Sequence, residues 1–162
     1  MADNHCMDAQ QLAGHICTVL RDHGYQAFLV GGCVRDIVQG RPAKDFDVAT
    51  DATPDRVQQL FPESVGVGAA FGVILVLDAQ TGAKVEVATF RTDLAYSDGR
   101  RPDAVIFSRS AEEDVRRRDF TINGLLLDPR DGRILDYVGG REDLRAGLVR
   151  AIGDPRARFR ED

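Results

Sequence analysis

The sequence predicts an α+β domain, a mixed β-sheet with helices packed on it. Three observations carry that expectation. Short apolar runs of strand character (QAFLV, VILVL, KVEVAT) stand beside segments of helical periodicity. Their order lacks the regular alternation of a βαβ array. A chain of 162 residues, 43% hydrophobic and 29% charged, has apolar material for one substantial core.

From Asp8 to His23, Leu12, Ile16, Val19 and Leu20 fall on one helical stripe, and Gly24 suits its C-terminal stop. Gln26 to Val30 reads as a buried strand that Gly31-Gly32 ends. CVRDIVQG reads as a short helix closed by Gly40, and Lys44 to Ala49 as a strand. Thr53 is an N-cap with Pro54 at the first helical position, so a helix reaches about Leu60. Val73–Leu77 and Lys84–Thr89 are strands joined through the turn AQTG. Ser110 with Glu113 three residues on has the form of a capping box. Arg116 to Asp128 is expected to continue that helix with an apolar face. DPRDG is a turn, ILDYV a short strand and Leu148–Ile152 another. Asp154-Pro155 opens a last helix.

Composition excludes several classes. Net charge is −5, so the chain as a whole is not a basic nucleic-acid binder, although arginines gather at Arg100-Arg101, Arg116–Arg118 and Arg156–Arg160. No apolar run approaches the ~20 residues of a membrane helix, so no membrane partner is expected. The N-terminus has neither the basic nor the apolar region of a secretion signal. Cys6, Cys17 and Cys33 are odd in number and form no CxxC pair, which fits a reducing, cytoplasmic compartment. All three histidines lie within the first 23 residues, which argues against Ser-His-Asp catalysis and a histidine-ligated metal. Carboxylates and arginines must then carry any chemistry.

The stretch GGCVRDIVQGRPAKDFDVAT, Gly31 to Thr50, concentrates such groups. In a strand, Asp45 and Asp47 share one face while Phe46 and Val48 turn to the core. Two adjacent carboxylates repel unless a cation sits between them. A bare DxD is more often a solvated strand end, but VEV offers Glu86 on a second strand. Three carboxylates from two strands can hold two divalent ions, which activate an attacking hydroxyl and stabilise a leaving pyrophosphate. Gly31-Gly32 between strand and helix is either an ordinary turn or an anion site, with Arg35 one turn in. Arg118-Asp119 is either a helical salt bridge or a guanidinium for phosphate beside a carboxylate for ribose hydroxyls. GVGAAFG has GxGxxxG spacing before a strand, so it is not a dinucleotide fingerprint. DFDVA is not a phosphatase nucleophile motif, because RPAK precedes it and Ala49 holds the fifth position.

Four stretches together resemble the head domain of class II tRNA nucleotidyltransferases, the CCA-adding enzymes, which share a superfamily with bacterial poly(A) polymerases and DNA polymerase beta. They are FLVGGCVRDIVQGRPAKDFDVAT, VEVATFRTDLAYSDGRRPD, EEDVRRRDFTINGLLLDP and LVRAIGDPRARFRED. The resemblance runs from Phe28 to Asp162 and implies the DNA polymerase beta-like nucleotidyltransferase fold. It assigns Asp45, Asp47 and Glu86 to two Mg²⁺ ions and catalysis. Gly31, Gly32 and Arg35 hold the triphosphate, Arg118 and Asp119 form the ribose-reading RRD motif, and Asn123 lies on the helix that follows. The implied reaction is attack of a tRNA 3′ end on the α-phosphate of CTP or ATP, releasing pyrophosphate. TFRTDLAYSDGRRPD is similar to the flexible loop of CCA- and A-adding members. The rivals are a bacterial poly(A) polymerase head with the same chemistry and an idle nucleotide-binding module.

The chain also departs from the family. Glu161-Asp162 match the first residues of the base-reading EDxxR motif, Asp162 among them, and its arginine is not present. The resemblance thus implies a head over residues 1–152, a neck helix begun at 153–162, and no body or tail to grip tRNA.

Overall fold

The computed structural model describes residues 8–93 and 105–153. Helix α1 (Ala9–Asp22) leads into strand β1 (Ala27–Val30), helix α2 (Gly32–Val38) and strand β2 (Asp47–Thr50). Helix α3 (Pro54–Leu60) precedes strands β3 (Ser64–Gly68), β4 (Val73–Leu77) and β5 (Lys84–Thr89). Strands β6 (Arg91–Asp93) and β7 (Val105–Phe107) form a separate antiparallel pair. Helix α4 (Ala111–Arg116), strands β8 (Leu126–Asp128) and β9 (Arg133–Leu135), and helix α5 (Gly140–Ala146) complete the described chain.

Seven strands make one sheet in the order β3-β4-β5-β2-β1-β8-β9. Its β2–β5 pairing is parallel and its other pairings are antiparallel, so the sheet is mixed, as expected. Side-chain alternation gives it two unlike faces. On one face Leu29, Val48, Ile74, Val76, Val85 and Val87 pack under α1 and α3. On the other, Phe28, Val30, Ala49, Phe90 and Leu126 pack with Ala111 and Val115 of α4. Asp47 and Glu86 belong to this second face, because Asp47 pairs with Val30 across β1 and with Glu86 across β5. The cover of α4 does not extend over the outer strands, where Val65 of β3 is 47% exposed.

Local chemistry explains the helix ends. Asp8 and Gln11 form a reciprocal capping box at the start of α1. Thr53 caps α3 with Pro54 just inside it. At α4, Ser110 accepts from Glu113 N at 3.1 Å, but the Glu113 carboxylate takes the Ser108 hydroxyl, so only half of the expected box forms.

Four expectations are corrected. The helix read over Arg116–Asp128 ends at Arg116. A tight turn at Thr121–Asn123 and strand β8 follow. Leu125, Leu126 and Leu127 are buried toward alternate faces, and a short apolar run of that kind does not distinguish strand from helix by period. The strand expected from Lys44 begins at Asp47, because Lys44 to Phe46 have no ladder partner. ILDYV pairs only as far as Leu135, since Asp136 turns to accept N–H groups from Gly139, Gly140 and Arg141 at the start of α5. Leu148–Ile152 supplies only an isolated bridge from Ala151 to Phe120. The helix expected from Asp154 and most of the expected loop lie outside the described residues.

Candidate active site

Strand β1 ends at Val30, and Gly31 turns the chain into α2 with φ +79° and ψ −147°, a conformation that favours glycine. Across the strand pair, Asp47 opens β2 opposite Val30. A methyl group on Gly31 would lie 3.7 Å from Asp47 Oδ2, so the bare backbone is what leaves this carboxylate approachable. Beside it, Glu86 of β5 stands level with Asp47 in the parallel register and is exposed. Asp45 is exposed and lies ahead of the strand, so the expected shared strand face does not hold for it in strict form. Its charge still reaches Asp47. Burial first, then the Glu86 carboxylate, push Asp47 up to about 6, with Asp45 adding to the rise and Arg118 opposing it.

Arg35 comes from the first turns of α2. It folds back over Gly32, whose added Cβ would be 3.4 Å from Arg35 Nη2. Its Nη1 donates to Asn123 Oδ1 at 3.0 Å, across 88 residues of sequence. Asn123 in turn donates toward Asp119 Oδ1 at 3.4 Å, and Asp119 also accepts the Phe120 N–H at 2.6 Å. The glycine-arginine segment and the RRD segment are therefore joined by side chains. Asp119 remains exposed.

Arg118 is anchored from behind. Its Nη2 donates to Asp114 Oδ2 at 3.0 Å, while Arg117 Nε and Arg91 N donate to Asp114 Oδ1 at 3.1 and 3.0 Å. Asp114 is 1% exposed. Arg118 Nε is buried and has no hydrogen-bond partner among the described residues, and the charge of this side chain is felt at Asp47. Sequence reasoning missed Asp114 as the residue that positions Arg118. The signal was readable, since Asp114 stands three and four residues before Arg117 and Arg118 on one helical turn.

Beside Arg35, Asp45 and Asp47 opens a cavity of about 400 Å³, lined by Gly32, Cys33, Arg35, Asp36, Pro42, Lys44, Asp45 and Asp47, with Glu86, Arg118, Asp119 and Asn123 outside its lining. Lys44 was also missed as a site residue. The cavity joins three carboxylates, Asp36, Asp45 and Asp47, to two cations, Arg35 and Lys44, which suits an anionic ligand that brings its own counter-ion. Among the described residues, no three His, Cys, Asp or Glu side chains form a ready-made ion cage. The donor set still fits a hard divalent cation, because such ions take a few carboxylate oxygens and complete their shell with water and phosphate. The raised pKa of Asp47 marks first its burial and then the repulsion from Glu86 and Asp45, and a bound cation would offset both. Asp162 lies outside the described residues.

A mixed sheet that presents Asp47 and Glu86 in register, beside a glycine- and arginine-lined cavity, defines an α+β domain with one candidate polar site. Residues 27–150 match the family model described as the Poly A polymerase head domain, and the chain belongs to that family. It is 48% identical over 153 residues to a CCA-adding enzyme of Geobacillus thermodenitrificans, covering 94% of this chain and 37% of that one. It is likewise 48% identical over 147 residues to a CCA-adding enzyme of Bacillus pumilus, covering 91% and 36%. Among solved structures, the CCA-adding enzyme of Bacillus stearothermophilus in complex with CTP superposes with a TM-score of 0.83 at 42% identity, over 97% of this chain and 37% of that one. The α+β nucleotidyltransferase fold is thereby established. The chain spans little more than a third of the length of the curated relatives it matches. Among the described residues, no helix is long and apolar enough to cross a membrane.

Proposed function

We propose that this domain is the catalytic head of a template-independent tRNA nucleotidyltransferase of the CCA-adding type. It transfers CMP or AMP from CTP or ATP to the 3′ end of tRNA. The observation that carries the reading is the register of Asp47 with Glu86 beside Gly31. That register puts two acidic groups at one point of an otherwise packed sheet, next to a backbone that phosphate can approach. Relatives named for the activity, and one solved with CTP, support it.

In the reaction the acceptor 3′-oxygen bonds to the α-phosphorus as the bond from phosphorus to the β-phosphate oxygen breaks. The pyrophosphate leaves with that electron pair, and the hydroxyl proton passes to solvent. Asp45, Asp47 and Glu86 are the residues that would hold Mg²⁺, and two such ions supply activation of the hydroxyl and neutralisation of the leaving group. Arg35 and Arg118 face the triphosphate with fixed positive charge. Gly31 and Gly32 keep side chains out of its path. Asp119 and Asn123 present a carboxylate and an amide to ribose hydroxyls, and Asp162 serves base reading. Residues 1–152 form the head, and 153–162 begin a neck.

The test is incubation of a full-length form with tRNA lacking CCA and with each triphosphate singly. C addition from CTP alone, and no long A tail from ATP alone, is expected. Long A tails without C addition would replace this reading by a poly(A) polymerase head, which the family's own description favours. Titration of the chain with Mg²⁺ and CTP, paired with a turnover assay, addresses the idle nucleotide-binding module. Measurable turnover rules that module out.

A further inference from the structure

A second cavity of about 400 Å³ opens beside the first, lined by Val38, Gln39, Arg41, Arg141, Leu144 and Arg145. Three guanidinium groups converge on it in a chain whose net charge is −5. Arg145 pairs with Glu142 at 3.4 Å, with both side chains largely exposed. Such a surface pair holds its partners weakly. Asp36 is turned to Arg35 at 3.7 Å, and Asp143 to Thr121 and Arg150. Among the described residues, Arg41 and Arg141 have no carboxylate partner.

The backbone beneath these arginines is held in place. Gly40, at φ +73°, turns the chain after α2, and Arg41 N donates to Asp36 O at 2.8 Å. On α5, Arg141 and Arg145 are four residues apart and share a helical face. Asp136 ties down the start of that helix through three consecutive N–H groups, from Gly139, Gly140 and Arg141. The cleft is thus assembled from two separate elements, not from one run of basic sequence.

Its position selects the ligand. Arg35 lines the first cavity and Gln39 the second, four residues or ~6 Å further along α2. The triphosphate is assigned to the Gly31–Arg35 end, so an anion that serves both cavities at once must be a chain of phosphates. We propose that this cleft binds a phosphodiester of the RNA strand being extended, an inference that rests on the nucleotidyl-transfer reading above. The overall acidic charge gives RNA no general attraction, so a local cluster must supply the contact.

The experiment uses the 162-residue chain, the double variant Arg41→Ala/Arg141→Ala, and Arg133→Ala as a control on the exposed strand β9. Fluorescence anisotropy follows a labelled single-stranded oligocytidylate as KCl is raised, and separately a labelled CTP analogue. Losing two phosphate contacts should lower the slope of log K against log salt by about 1.4 and weaken RNA binding by about tenfold at low salt. CTP affinity should stay within twofold, and thermal melts should coincide. Arg41→Lys/Arg141→Lys should recover most of the slope, since charge and not shape is read. An unchanged slope, an equal loss from Arg133→Ala, equal loss of CTP affinity, or no salt-dependent RNA binding in the parent overturns the proposal. CMP incorporation with an unchanged slope rejects this cleft alone. A changed slope without incorporation rejects the enzymatic reading and leaves the phosphate contact standing.

Discussion

Replacing Asp47 by Asn should stabilise the metal-free domain while abolishing nucleotidyl transfer. The Asp47 carboxyl is raised from 3.8 to about 6, by burial first and then by Glu86. Between those two values the folded state holds a proton that the unfolded chain has released. Stability therefore falls as pH rises through this window, and the full cost is present above it. At about 1.4 kcal/mol per tenfold change the cost has a ceiling of about 3 kcal/mol. Solvent at the half-buried site screens part of it, leaving roughly 1–2 kcal/mol. Asn has the shape of the protonated acid and carries none of this cost. Urea unfolding at pH 8 should find Asp47→Asn more stable than the parent by roughly 1–2 kcal/mol, with the advantage gone below about pH 4. Millimolar Mg²⁺ should close the gap at pH 8 by stabilising the parent alone. A variant no more stable than the parent at pH 8, or a difference that does not change with pH, would refute the reasoning.

Gly31→Ala forces a side chain into a backbone conformation nearly reserved for glycine, at a cost of about 1–3 kcal/mol, and sets a methyl group 3.7 Å from Asp47 Oδ2. Denaturant titration and CTP binding should both worsen, whereas Gly32→Ala, which meets only the flexible end of Arg35, should change stability by no more than about 0.5 kcal/mol while still weakening CTP binding. Gly140→Ala would place Cβ 2.2 Å from the Thr121 carbonyl oxygen, so a loss of roughly 3 kcal/mol is expected by calorimetry. Asp128 is buried; burial pushes its pKa up, but Arg130 and Arg21 more than offset this and hold it below 3.8. That contribution is present above the ordinary carboxylate range and lost as pH falls through the depressed value. Asp128→Asn should accordingly flatten the acid limb of a stability–pH profile, and an unaltered limb would count against the assignment.

Much of this was legible because the strongest elements state themselves locally. The α1 stripe, the Thr53-Pro54 start and the alternation of KVEVAT need no tertiary information. The carboxylates were legible by parity, since Glu86 sits between two valines that must face the core. Elements whose logic is tertiary were not. Strand β3 carries exposed Val65 and Val67 around a glycine and lacks the alternation that marks a half-buried strand. Helix α5 begins at Gly139-Gly140, where Asp136 provides capping from three residues before the turn and no Ser or Thr announces it. The link from Arg35 through Asn123 to Asp119 spans two motifs, and each alone predicts only its own segment.

The level pairing of Asp47 with Glu86 separates the chemistry from the chain length between them. Between the two lie α3, the β3–β4 hairpin and the turn closed by Gly82, an excursion that crosses through α3, lays down the two outer strands and returns as a parallel neighbour of β2. Residues can be added or removed at the hairpin tip or in that turn without moving either carboxylate, provided β5 re-enters at the same level. A slip of one position along β5 would instead send Glu86 to the α1 side and bring a valine to the reaction. Insertional variation and domain grafting are thus predicted to be tolerated at the outer edge of the sheet and forbidden across a single peptide step at Val85-Glu86.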